Sequence, residues 1–167
     1  MISVIKDAFP NIDNCLKSIK DKHSYVFEDN ELKKGVFVSK TTLKHLHVEN
    51  STNNPFYFIQ NDDCLMNNEK GGQCDYVVFN SIDLHFIDIK VAKDGFANHK
   101  KKAYKQIENT FKFYDDKLDF PNDLLLHGLV CFPNKKRIIK PSESTKRKEF
   151  KTKYNIDLTI GNYILFR

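Results

Sequence analysis

The sequence predicts an α/β (α+β) fold: a mixed central β-sheet flanked by helices, in one domain over residues 1–167. Three observations carry this. The first half holds several short segments of alternating apolar and polar residues. Its centre, GGQCDYVVFNSIDLHFIDIKVAK at 71–93, is two apolar runs divided by a turn. A long helical stripe then leads into the unbroken apolar run LLLHGLVCF at 124–132.

Taken in order, residues 3–22 show Ile5, Ala8, Ile12, Cys15, Leu16 and Ile19 at near-helical spacing, with Pro10 as a break or a first helical position. Segments 24–28, 35–40 and 43–49 alternate as half-buried strands do, and PFYFIQ at 55–60 reads as another strand. Asn67 to Gly72 is polar and ends in glycine, so it reads as a loop. Strands follow at 74–79 and 84–91, then a helix over 96–116 with Ala103, Ile107, Phe111 and Tyr114 on its apolar side. The 124–132 run reads as a buried central strand, 143–153 as a basic helix and YILFR as a final strand.

The chain length fits one domain able to bury a core, and 40% hydrophobic with 29% charged residues excludes a disordered chain. No apolar run approaches a membrane span, and the N-terminal segment turns acidic too soon for a secretory signal. A cytoplasmic protein with no membrane partner is therefore expected. Cys15, Cys64, Cys74 and Cys131 form no CxxC pair, so reduced and mostly buried thiols are expected. His45 and His47 share a strand face, but two ligands without a third make a weak metal signal. No GxSxG, P-loop or GxGxxG is present.

The central stretch raises a sharper question, because Asp75, Asp88 and Lys90 sit in its most strand-like segments. If Ser81 and Ile82 form the tip of a hairpin, Phe79 faces Leu84, Val77 faces Phe86 and Asp75 faces Asp88. Two carboxylates opposed on an apolar hairpin repel each other and lose hydration. A hard divalent cation, Mg²⁺ or Mn²⁺, relieves both penalties. Alternation puts Lys90 on the same face, where an ammonium can orient water or offset charge on a phosphoryl oxygen.

Asp75 followed by Asp88-Ile89-Lys90 resembles the signature of the PD-(D/E)xK nucleases, a restriction-endonuclease-like superfamily. The resemblance covers roughly residues 60–115 and implies a restriction-endonuclease-like core. It implies Mg²⁺ (or Mn²⁺) held by Asp75 and Asp88 with the carbonyl of Ile89, and water activation assisted by Lys90. Gln106 corresponds to a Gln or Lys that many members aim at the site. The chain departs from the pattern at Gln73-Cys74, where a proline is common, and at Thr110. Many members add an acid from the first helix; Asp7, Asp13, Asp21, Glu28 and Glu31 are the candidates, and Asp62 or Asp63 is an alternative source.

Net charge is +5, concentrated in Lys100, Lys101 and Lys102 and in a stretch holding Lys135, Lys136, Arg137, Lys146, Arg147 and Lys148. Two basic clusters about an acidic centre fit a phosphate-binding groove. The expected function is Mg²⁺-dependent phosphodiester hydrolysis, in DNA before RNA, in restriction, repair or phage defence. A homodimer or a partner protein would supply specificity. An RNA or tRNA nuclease uses the same site, and a scaffold that keeps the fold without hydrolysis is the reading from another class.

Overall fold

A computed structural model describes the chain except residues 30, 33, 53, 67–70, 93 and 134–140, and at 141–143 it describes the backbone alone. The element order is α1 (Ile2–Ala8), β1 (Leu16–Ile19), β2 (His23–Asp29), β3 (Lys34–Val38), β4 (Leu46–Asn50), β5 (Phe56–Gln60), β6 (Tyr76–Phe79), β7 (Asp83–Ile89), α2 (Phe96–Asp115), β8 (Leu125–Cys131), α3 (Pro141–Tyr154), β9 (Ile156–Gly161) and β10 (Tyr163–Phe166). The mixed α+β class is as expected.

There are two sheets where the sequence suggested one. The larger runs β1-β5-β6-β7-β8-β9 and the smaller β10-β4-β2-β3. Strands β1, β5, β6 and β7 pair antiparallel, whereas β7, β8 and β9 are parallel and linked through α2 and α3. Alternation along the larger sheet explains the layers. Val77, Phe79, Leu84, Phe86, Leu126 and Val130 pack with the helices, through Ile107, Phe111, Tyr114 and Phe150. The opposite set, Tyr76, Val78, Ile87, Ile89 and Leu129, packs with Val26, Val48, Ile164 and Phe166 of the smaller sheet. Helices thus cover one face only, and the second sheet covers the other.

The helix expected over 3–22 stops at Ala8, beside Pro10. A 3-10 turn at Ile12–Asn14 follows, and Leu16–Ile19 becomes β1 because it pairs with β5. Its spacing was compatible with a helix, but the edge of the large sheet offers a full ladder. Ile156–Gly161, not anticipated as a strand, is β9. The cysteine expectation divides: Cys74 and Cys131 are buried free thiols, but Cys15 and Cys64 form a disulfide with Cα atoms 5.8 Å apart. Packing of β1 against β5 brings together two loops that the sequence keeps 49 residues apart.

Gly128 lets α2 and β9 close onto β8. A Cβ there would lie 2.9 Å from Leu158 Cδ1 and 3.3 Å from Ile107 Cγ2. Among the described residues no helix is long and apolar enough to cross a membrane.

Candidate active site

The hairpin that carries the acids is built by its turn. Asn80 Oδ1 accepts from the N–H groups of Ile82 (2.8 Å) and Asp83 (2.7 Å), which fixes Ser81 and Ile82 at the tip. The register is the expected one: Phe79 pairs with Leu84, Val77 with Phe86 and Tyr76 with Ile87. One step further, Asp75 precedes β6 and Asp88 lies within β7, and the Ile89 N–H donates to Asp75 Oδ2 at 2.5 Å.

Helix α2 and the β5–β6 connection clamp the backbone leading to Asp75. Gln106 Nε2 donates to the Gln73 carbonyl (2.7 Å), and the Cys74 N–H donates to Thr110 Oγ1 (2.8 Å). Asn61 Nδ2 donates to the Cys74 carbonyl (2.9 Å), and the Asn61 N–H to that of Asp75 (2.9 Å). Tyr114, wholly buried, donates its hydroxyl proton to Asn61 Oδ1. Gln106 therefore spends its donor on the chain and leaves a buried Oε1 with no hydrogen-bond partner among the described residues. Thr110, where the sequence departed from the family pattern, acquires a part in this clamp. Sequence alone did not signal Asn61 or Thr110, because both act through contacts distant along the chain.

Asp88 has no exposure, and Lys90 Nζ lies 2.6 Å from its Oδ2. Apart from that ion pair, neither oxygen of Asp88 accepts a hydrogen bond among the described residues. Burial, and then the charge of Asp88, push the Asp75 carboxyl up to about 7. Burial likewise raises Asp88 to about 6, against the pull of Lys90. For Lys90 burial acts downward, but Asp88, Asp75 and Glu28 outweigh it and hold the ammonium above its usual range. Lysine at this position therefore stays charged.

Of the candidates for a further acid named for the first helix, Glu28 lines the same cavity as Asp75, and it stands on a strand, not on the first helix. Glu28 is on β2 of the smaller sheet, and burial followed by the nearby Asp75 raises it to about 7. An open cavity of about 290 Å³ is lined by Glu28, Asp62, Asp63, Asp75 and Tyr76. Asp62 Oδ1 is engaged by Gln73 Nε2 at 2.5 Å, and its charge adds to the elevation of both Asp75 and Glu28. Asp13, by contrast, is tied to Lys6 at the surface (2.7 Å).

The donor set fits a hard divalent cation. It is all oxygen and crowded with like charge, and Asp88 within it is buried with no hydrogen bond beyond its Lys90 pair among the described residues. Two protein carboxylates suffice for Mg²⁺, which usually keeps several waters and takes substrate phosphate oxygens. The tight three-ligand groups among the described residues lie elsewhere, at His23/His47/Glu49 and Asp83/His85/His127.

Chain topology brings the basic residues toward the same end. Asp88 and Lys90 stand at the C-terminal end of β7, from which the chain enters α2, and Lys100, Lys101 and Lys102 lie near the start of that helix. Lys102 is close enough to lower the Asp88 carboxyl. Strand β8 runs parallel to β7, so α3 also begins at this end, with Lys146, Arg147 and Lys148 near its middle. Lys146 is held by Glu149 (2.8 Å), while Lys148 is exposed. Lys135, Lys136 and Arg137 lie outside the described residues.

Comparison with known proteins finds no family, no curated protein and no solved structure that matches the chain.

Proposed function

We propose that the chain is a divalent-metal-dependent nuclease hydrolysing phosphodiester bonds, in DNA before RNA, with a PD-(D/E)xK type of site. One observation carries the reading: a buried, hydrogen-bond-poor Asp88 paired with Lys90 and set beside Asp75 across a hairpin. A second raised carboxylate and an open acidic cavity lie alongside, an arrangement that functional sites favour.

In this reading Asp75 and Asp88 hold Mg²⁺ or Mn²⁺, with the Ile89 carbonyl as a further donor and Glu28 as the acid from the second sheet. When bound, the ion supplies Lewis-acid polarisation of a phosphoryl oxygen and a more acidic bound water. Lys90 keeps its proton and sets positive charge where the phosphoryl group gains negative charge. Gln106, Thr110 and Asn61 hold the main chain at 73–75, so that the Asp75 carboxylate does not have to reorganise. Lys100, Lys101, Lys102, Arg147 and Lys148 contact phosphate backbone without reading sequence, so a second copy or a partner protein supplies specificity. A cytoplasmic setting belongs to this reading. The Cys15–Cys64 disulfide counts against that setting, since such bonds are uncommon in reducing compartments.

The test is cleavage of labelled duplex DNA, single-stranded DNA and RNA with Mg²⁺ or Mn²⁺, comparing wild type with Lys90→Ala. Metal-dependent cutting that the substitution suppresses supports the reading. A wild-type protein that cuts none of the three substrates defeats it and leaves a scaffold.

A further inference from the structure

We infer that His23, His47 and Glu49 form a second metal site, selective for a borderline first-row cation such as Zn²⁺, on the outer surface of the smaller sheet. The site is independent of the proposed nuclease centre. His47 and Glu49 are two residues apart on β4 and share a face, and His23 on the adjacent β2 pairs directly with Glu49. The ligand atoms all lie within 4.8 Å of one another. His45, the expected companion of His47, instead accepts the Glu28 N–H through Nδ1 (3.1 Å) and is not part of the group.

The geometry favours a tetrahedral ion. His23 Nδ1 and His47 Nε2 are 3.3 Å apart. Zinc–imidazole bonds of about 2.0–2.1 Å give a tetrahedral edge of roughly 3.3–3.4 Å, whereas nitrogen-donated hydrogen bonds centre near 2.9–3.0 Å. Tyr163 donates its hydroxyl proton to Glu49 Oε2 at 2.6 Å, which orients the carboxylate and leaves Oε1 available. His23 is exposed, so water has access to a fourth position.

Donor type decides the class of metal. Two imidazole nitrogens with one carboxylate oxygen suit Zn²⁺ and similar first-row cations, whereas Mg²⁺ and Ca²⁺ prefer all-oxygen sets. His23 and Glu28 are five residues apart on β2, about 17 Å, so one ion does not reach both sites. By clamping β2 to β4, the ion would brace the sheet that carries Glu28. The other three-ligand group is less suited. His127 Nε2 already lies 2.9 Å from Asp83 Oδ1, and His85 and His127 stack face to face at 4.4 Å, so their lone pairs do not converge.

The experiment is Zn²⁺ titration by calorimetry and Co²⁺ titration by visible absorption, on chelator-stripped full chain with excess Mg²⁺ to fill the acidic site. One Zn²⁺ equivalent and an intense tetrahedral Co²⁺ band are expected, with thermal stabilisation by Zn²⁺. His23→Ala, a surface change that spares the fold, should weaken binding at least tenfold, as should Glu49→Gln. Asp75→Asn and His127→Ala should bind as wild type does. Wild type that takes up no Zn²⁺, or His23→Ala that binds it unchanged, overturns the inference. Loss in His127→Ala but not in His23→Ala overturns it in favour of the other group.

Discussion

The main-chain N–H of Ile89 donates to Asp75 Oδ2 at 2.5 Å, so the proposed acid also ties the two strands of its own hairpin. The two roles can be separated. Asp75→Asn keeps an oxygen for the Ile89 N–H but loses the charge, whereas Asp75→Ala loses both. Cleavage should fall by on the order of 10²–10³ or more in each. Only the alanine variant should unfold earlier, by about 1–3 kcal/mol in a denaturant titration, because it leaves a buried donor unmet.

Lys90 is the sole ion-pair partner of Asp88 among the described residues. Lys90→Ala should reduce the cleavage rate on the order of 10²–10³ while divalent-metal affinity holds or rises. Without metal the variant should lose stability, since a buried carboxylate then has no counter-charge. Added Mn²⁺ should restore its melting temperature more than that of wild type, which differential scanning fluorimetry would read.

Carboxyls raised to about 7 at Asp75 and Glu28 and about 6 at Asp88 give the metal-free protein a signed pH dependence. Between the ordinary carboxyl range and these values the folded state binds more protons than the unfolded chain, so stability falls as pH rises. With chelator present, the melting temperature should decline from about pH 5 to pH 8. The decline should be shallower in Asp75→Asn, and Mg²⁺ should raise stability most at the alkaline end.

The hairpin was legible because its information is local: an Asx turn at Asn80 fixes the register, and alternation carries it to Asp75, Asp88 and Lys90. Glu28 was not legible, because its place depends on how the two sheets dock, which no sequence period encodes. The same holds for Asn61, Thr110 and the Cys15–Cys64 pairing. Strand β1 was misread since four residues fit either period, and the partner β5 decided the outcome.

Charge on α3 is unevenly committed. Lys146 is engaged by Glu149, so Arg147 and Lys148 should carry more of any phosphate contact. Replacing both with Gln should weaken duplex binding for all sequences alike and lower the slope of log affinity against log salt by about 1–2. Lys146→Gln alone should change that slope less. Filter binding over a salt series measures both.

The disulfide closes a loop of 49 residues, for which chain entropy gives roughly 4 kcal/mol as an upper scale. Reduction should lower the melting temperature, and Cys15→Ser should reproduce the change and become insensitive to reductant.

Glu28 stands on one sheet and Asp75, Asp88 and Lys90 on or beside the other. The proposed centre is thus a seam between layers, and turnover would report whether the layers are docked. A variant whose smaller sheet slips or frays, through Phe166→Ala for instance, would keep the hairpin and its ion pair yet lose the third acid. In a heating series, catalysis should then vanish before far-ultraviolet dichroism does, with the gap between the two marking the mechanical weak point of the molecule.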